Sequence, residues 1–458
     1  MAMKYIFACF WEGQEGSFIL WTFWHVVIGL ILIKTAKSYE APVMLMLSLV
    51  QVFLASMLLG IIVFKIRIGM NPFLLLREHP DFMNLPFVKS PTYLTKLDGR
   101  GLNPLLQNYW MTIHPPTLFL GFALTVVPFA YAFAGVWKKD YENWQKPALP
   151  WTFIGIGILG TGILMGGAWA YEALSFGGFW AWDPVENASL VPWITLVAAG
   201  HVMIITKNKK NSLFISFFLA IVSFILILYS TFLTRSGILG DSSVHAFTDL
   251  GMQKQLLLFL LLFIYASVLI LLHQKIMRLI YNCASVLTLL CVFTFTIYPS
   301  YILLLWGLMS AVFIAIGYAK FFPKDKREEN IYSREFWMFV GSLMLLMSAV
   351  IISLFTSTPI FNKLLNQKGA PIDVFTYNKW TLPFAIIVML LSGFIQFLNY
   401  SKTNAKQFYK KIAIALLVSL AFGVLAAIAL YSSKEHELVD AKQKSFYLSS
   451  YSPFKNLE

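Results

Sequence analysis

Charge is scarce in this sequence: Asp, Glu, Lys and Arg make up 12% of its 458 residues, against about 25% in an ordinary soluble domain. That shortage excludes a soluble enzyme and a disordered scaffold. Cysteine is nearly absent. Cys9, Cys283 and Cys291 have no CxxC spacing, and the last two lie in apolar segments, so a disulfide framework and a thiolate metal site are excluded as well. There is no short cleavable signal: the first long apolar run begins near Ser17 and no small-residue cleavage pattern follows it. Internal repeats and low-complexity linkers are also missing. The seven histidines are few enough to weigh one by one.

What remains is apolar. Hydrophobic residues make up 58% and aromatics 16%, with 41 Phe, and the mean hydropathy is +0.70. A membrane-crossing helix needs about 20 mostly apolar residues. By that measure the sequence predicts an all-α, polytopic integral membrane protein with about twelve spans. Their cores lie near 17–36, 43–64, 117–137, 150–171, 188–206, 213–233, 255–274, 280–297, 299–319, 336–357, 380–398 and 412–431. Two of them meet almost without a loop at Pro299. The net charge of +13 is spread over loops rather than gathered in a stripe, which argues against nucleic acid. Alternate loops near 34–42, 138–149, 207–212, 275–279, 320–335 and 399–411 hold 19 of the 35 basic residues. The positive-inside rule makes those loops cytoplasmic and places both termini outside. The tail after Ser432 is polar.

Three outward segments are too rich in Trp, Gly, Pro and His for simple connectors: 65–116, Gly177–Trp193 (GGFWAWDPVENASLVPW) and the segment TRSGILGDSSVHAF ending at Phe247. In the middle one, Trp180 and Trp182 offer flat apolar faces, and Asp183, Glu186 and Asn187 add polar atoms at a helix mouth. Such a surface suits a large planar ligand with a polar edge; an interfacial aromatic belt is the alternative. His114 precedes Pro115 and Pro116, which favour an extended backbone at His114 and a span starting at the prolines. His245 follows Asp241, Ser242 and Ser243, residues able to cap a short interfacial helix. The two histidines could ligate a haem iron axially or be hydrogen-bonded interfacial residues. His201 lies within a span, where an ionisable group is costly; it could ligate a buried haem or bond a neighbouring helix. Arg100 and Arg235 are candidate contacts for haem propionates, with lipid headgroups as the alternative. His25 is also intramembrane and reads as structural. His273 suits a helix C-terminus, and His79 and His436 read as loop residues.

The segment WAWDPVENASLVPW closely resembles the tryptophan-rich WWD signature of membrane haem-handling proteins, and its WDPVENAS form resembles the CcmF cytochrome c haem lyase branch. WEGQEGSFILW, GRGLNPLLQNYWMTIHPP, GGAWAYEAL, FLTRSGILGDSSVHAF and a weaker SREFWMF match in the same order. The resemblance covers most of residues 5–275 and, more loosely, 333–425. It implies an outward-facing haem on Trp180, Trp182 and Asp183, with iron held by His114 and His245, and a membrane-embedded b-type haem on His201. It divides the chain into a haem-handling core (1–275, with the WWD segment at 177–193), an inserted hairpin and loop (276–335), C-terminal spans (336–431) and a tail (432–458). Three departures stand out: Gln14 replaces the family's usual His, the spans at 280–319 are extra, and no later histidine matches the second membrane-haem ligand. The chain is also expected to start late and stop early relative to a full-length member.

The resemblance implies cytochrome c maturation in a bacterial inner membrane. Non-covalent haem, delivered by a membrane-anchored chaperone, would be presented for thioether attachment to apocytochrome c. This haem lyase step would take place in a complex with thiol-reducing and apocytochrome-binding subunits. No nucleophile of this chain is required. The competing readings are a haem exporter and a non-catalytic assembly subunit.

Overall fold

The computed structural model describes residues 2–64, 66–79, 82–97, 101–173, 178–210, 212–239, 243, 251–294, 299–323, 330–364 and 371–432. The helices are α1 (Met3–Glu12), α2 (Gln14–Thr35), α3 (Glu40–Ser56), α4 (Tyr93–Lys96), α5 (Tyr109–Trp137), α6 (Gln145–Glu172), α7 (Pro184–Lys209), α8 (Leu213–Arg235), α9 (Gln253–Leu271), α10 (Lys275–Thr294), α11 (Pro299–Phe321), α12 (Arg334–Thr356), α13 (Thr358–Leu364), α14 (Val374–Ile395) and α15 (Ala405–Ser432). Among the described residues, twelve helices are long and apolar enough to cross a membrane, as the sequence predicts, and an antiparallel hairpin, β1 (Ile61–Val63) with β2 (Ile66–Ile68), accompanies them. The chain divides into two compact units, Met1–Glu328 with Trp337–Leu391, and Glu329–Phe336 with Ser392–Glu458.

In the larger unit α5 is central, with 89% of its spanning window buried. It meets α6 at backbone distance: a Cβ on Gly121 would stand 2.7 Å from Leu159 Cα, and one on Gly162 would stand 3.0 Å from Leu118 Cα. Small residues let helix backbones approach in this way within lipid. A core of Trp21, Phe129, Phe224, Phe259 and Phe263 packs around it. The smaller unit is tied by backbone bonds, Arg334 N–H to the Asn399 carbonyl at 2.9 Å and Thr403 N–H to the Tyr332 carbonyl at 2.8 Å.

Two local expectations are corrected. The second span does not run to residue 64; α3 stops at Ser56, and the chain turns into the hairpin through Gly60 at φ +61°, where a Cβ would stand 2.4 Å from Asn71 N. His114 is not extended ahead of a span but lies inside α5, which starts at Tyr109. Asn108 caps that start by accepting the Trp110 N–H at 3.0 Å. Pro115 cannot donate to the carbonyl of Met111 four residues back, and the Trp11 indole N–H bonds that carbonyl instead at 3.0 Å. Tertiary contact thereby overrides the local bias of the His-Pro pair.

Candidate functional site

Five helix ends converge at one end of the larger unit: the starts of α2, α5 and α7 and the finishes of α6 and α8. They enclose a cavity of about 160 Å³. Its walls include Trp21, His114, Trp169, Trp180, Glu186 and Arg235.

Two of the polar wall residues, His114 and Arg235, are positioned by named neighbours. His114 Nδ1 lies 2.8 Å from the Gly162 carbonyl oxygen of α6. A carbonyl only accepts, so Nδ1 carries the proton and Nε2 is the basic, metal-competent nitrogen. The His114 ring lies 6.0 Å from that of Trp169. Gly166 leaves room for it, since a Cβ there would stand 2.9 Å from His114 Cε1. Arg235 ends α8 with its guanidinium 5.9 Å from the rings of both Phe18 and Phe119. Gln14, where the family usually has His, is buried and donates to the Arg235 carbonyl at 3.4 Å.

The WWD segment is a helix-start device. Trp182 has φ +56°, a left-handed conformation that turns the chain into α7. Asp183 caps α7, accepting from Val185 N–H at 2.8 Å, while Glu186 Oε2 accepts from the N–H groups of Ala181 (3.0 Å) and Asp183 (3.1 Å). This reciprocal capping box satisfies helix-end donors, and the positive end of the helix dipole favours both carboxylates. The two tryptophans do not share a plane. Their rings stand at 89°; Trp180 faces the cavity, whereas Trp182 stacks on Tyr377 of α14 at 5.1 Å and donates to Asn378 at 2.8 Å. Asp373 starts α14, and the Thr376 N–H it accepts holds its carboxyl below the ordinary carboxylate range.

His245, Arg100, Gly177, Asp241, Ser242 and His436 lie outside the described residues, as do Lys324, Lys326 and Arg327 of the basic loops. Ser243 is described, and its hydroxyl donates to Asp183 of the WWD segment at 2.8 Å. His201 lies in α7, with Nδ1 2.8 Å from the Val197 carbonyl, which selects the same tautomer as in His114. The other described histidines pack elsewhere, His25 against Trp21, His79 against Phe82 and His273 against Phe321. Sequence reasoning assigned no site role to Trp21 or Trp169. The signal lay in the matched segments themselves: Trp21 closes WEGQEGSFILW and Trp169 stands in GGAWAYEAL.

Residues 11–239 match the family model described as Cytochrome C assembly protein. The chain belongs to this family. Cytochrome c-type biogenesis protein CcmF of Pseudomonas fluorescens is 30% identical over 426 residues, 93% of this chain and 54% of that protein. CcmF of Escherichia coli K12 is 34% identical over 272 residues, 58% of this chain and 38% of that protein. A solved structure titled Cytochrome c Heme Lyase CcmF has the same fold, with a TM-score of 0.57 at 23% identity over 91% of this chain and 52% of that chain. The chain thus spans about half the length of these relatives, or less.

Proposed function

We propose that this chain is a haem-handling subunit of cytochrome c maturation, receiving haem as cargo at the tryptophan-walled cavity and presenting it for attachment to apocytochrome c. The observation that carries the reading is His114: a histidine held by a backbone carbonyl in the tautomer that makes Nε2 basic, lining that cavity in a chain of the cytochrome c assembly family. The donor set fits the group. It combines an imidazole for iron, indole and phenyl faces for the macrocycle, and the Arg235 guanidinium for a propionate.

Size refines the fit. A cavity of about 160 Å³ matches the roughly 150 Å³ engineered cavity that takes one benzene ring. A tetrapyrrole would enter by one edge, with the rest against Trp180 and the outer rim. Trp182 and Asp183 then act by holding Trp180 and the start of α7 in place. His245, two residues after Ser243 in sequence, is proposed as the second axial ligand. Arg100 is proposed as a second propionate contact. His201 offers one imidazole for a membrane haem, whose opposite ligand would come from His25 or another subunit, and no step is routed through that group.

When bound, haem supplies the vinyl groups to which cysteine thiols add. The protein supplies orientation and proximity, which can provide much of such a barrier, and excludes water from the buried edge. The cavity end, with both termini, faces outward from a bacterial inner membrane. The partners are a membrane-anchored haem chaperone, thiol-reducing and apocytochrome-binding subunits and apocytochrome c.

The test is an absorption spectrum of the protein purified with its partner proteins, before and after His114→Ala, His245→Ala and His201→Ala. A bis-histidine haem signal lost with His114 or His245 is expected. An unchanged signal and normal cytochrome c maturation in both variants would sink the reading and favour an assembly role.

A further inference from the structure

Strand β1 has no polar residue. The hairpin sequence is IIVFKIRI (61–68), with Ile62 of β1 opposite Arg67 of β2, whereas a strand exposed to water on one side should alternate apolar with polar residues. All three residues of β1 are exposed, Ile62 by 70%, and Phe64 at the turn by 95%. Phe64 has φ +48°, a left-handed turn position that favours Asn or Gly and strains a bulky residue. The fold thus accepts backbone strain to present a phenyl ring at the tip. An isolated two-stranded hairpin is marginal in water, and an apolar exposed edge invites aggregation.

The base of the hairpin is bonded to the ends of two spans. Met70 N–H donates to the Met57 carbonyl at 2.9 Å, Gly69 N–H to Gln255 Oε1 at 3.1 Å, and Gln255 Nε2 to Ser56 Oγ at 2.7 Å. Ser56 ends α3 and Gln255 lies in the first turn of α9, so the hairpin springs from the plane where helices leave the hydrocarbon. Its only charges are basic, Lys65 and Arg67. α1, before the start of α2 at the same end, carries a like stripe of exposed Met3, Ile6, Phe7 and Phe10 at helical spacing.

We infer that the hairpin is a lipid-binding wedge: Ile62 and Phe64 enter the acyl boundary of the leaflet at the cavity end, and Arg67 meets anionic phosphates. The occupant is lipid, because continuity with the spans places the hairpin at the bilayer surface and because apolar side chains flanked by positive charge suit an anionic interface. The wedge would hold the rim of the cavity at a fixed depth.

The test uses the full chain with its free thiols replaced (Cys9→Ser, Cys283→Ser, Cys291→Ser) and one cysteine added, Phe64→Cys or, independently, Ile62→Cys. Each is labelled with an environment-sensitive fluorophore and reconstituted in phosphatidylcholine–phosphatidylglycerol vesicles. The expected result is blue-shifted emission, quenched by nitroxide-labelled acyl chains and little affected by aqueous iodide. A label at Lys89→Cys, exposed in the same outward segment, should show the reverse. Iodide quenching at Phe64 and Ile62 equal to that at Lys89 would overturn the proposal. So would shielding that develops only when partner proteins are added, which would assign the hairpin to a protein surface.

Discussion

Gly166 and His114 form a pair in which the smaller residue sets the position of the larger. A methyl group on Gly166 would stand 2.9 Å from His114 Cε1 and 3.4 Å from Nε2, so Gly166→Ala must turn the ring and loosen its bond to the Gly162 carbonyl. Loss of such an orienting partner typically costs a metal ligand about 10–100-fold in affinity. A fall of that order in haem retained per purified protein is expected, with a nearly unchanged thermal midpoint; equal retention would remove His114 from the site. The tryptophans should separate in the same assay. Trp180→Ala should lower haem retention with little loss of stability, because Trp180 faces the cavity. Trp182→Ala removes the Tyr377 stack and the Asn378 bond and should destabilise by about 1–3 kcal/mol, seen as earlier thermal unfolding. From sequence the two were equivalent; only the turn at Trp182 separates them.

The prolines inside spans show how helices here compensate one another. Pro192 in α7 leaves the Ala188 carbonyl without its intrahelical donor, and the Ser230 hydroxyl of α8 bonds it. Pro115 and Trp11 are the same device at the start of α5. Within lipid a freed carbonyl finds no water, so Ser230→Ala should cost about 1–3 kcal/mol. Pro192→Ala restores the missing N–H, and the double variant should lose less than Ser230→Ala alone. A thermodynamic cycle on the four proteins measures that coupling; strict additivity would refute it. Asp373 gives a pH-linked counterpart. Its carboxyl is held below the ordinary range by the Thr376 N–H, so its contribution is complete above the unfolded value near 3.9 and is lost as pH falls through the lower, folded value. Asp373→Ala should weaken the start of α14 at neutral pH, measured as faster hydrogen exchange at Thr376. Prolines and caps were visible in the sequence; the donors that complete them come from other helices and were not.

Across the membrane, the loop charges predict a single alternation of spans. Single cysteines at Asn208, exposed in the last turn of α7, and at Lys89, in the outward segment, should be labelled from opposite sides of intact membranes by an impermeant thiol reagent. Labelling of both from the same side would break the topology and, with it, the outward-facing site.

The spans, their order and the candidate ligand segments were legible because lipid imposes a local requirement. About 20 consecutive apolar residues satisfy it, and such a run is visible without knowing what it packs against. Family membership was legible for a related reason, since the WWD, HPP and SVHAF segments are short and contiguous. The cavity belongs to tertiary structure alone. Its walls come from residues as far apart as Ser17 and Arg235, and its selection of Trp180 over Trp182, of one His114 tautomer and of Gly166 as a spacer depends on which helix ends meet. Apolar composition fixes that a helix spans, but the approach of backbones at Gly121 and Gly162 fixes what it faces.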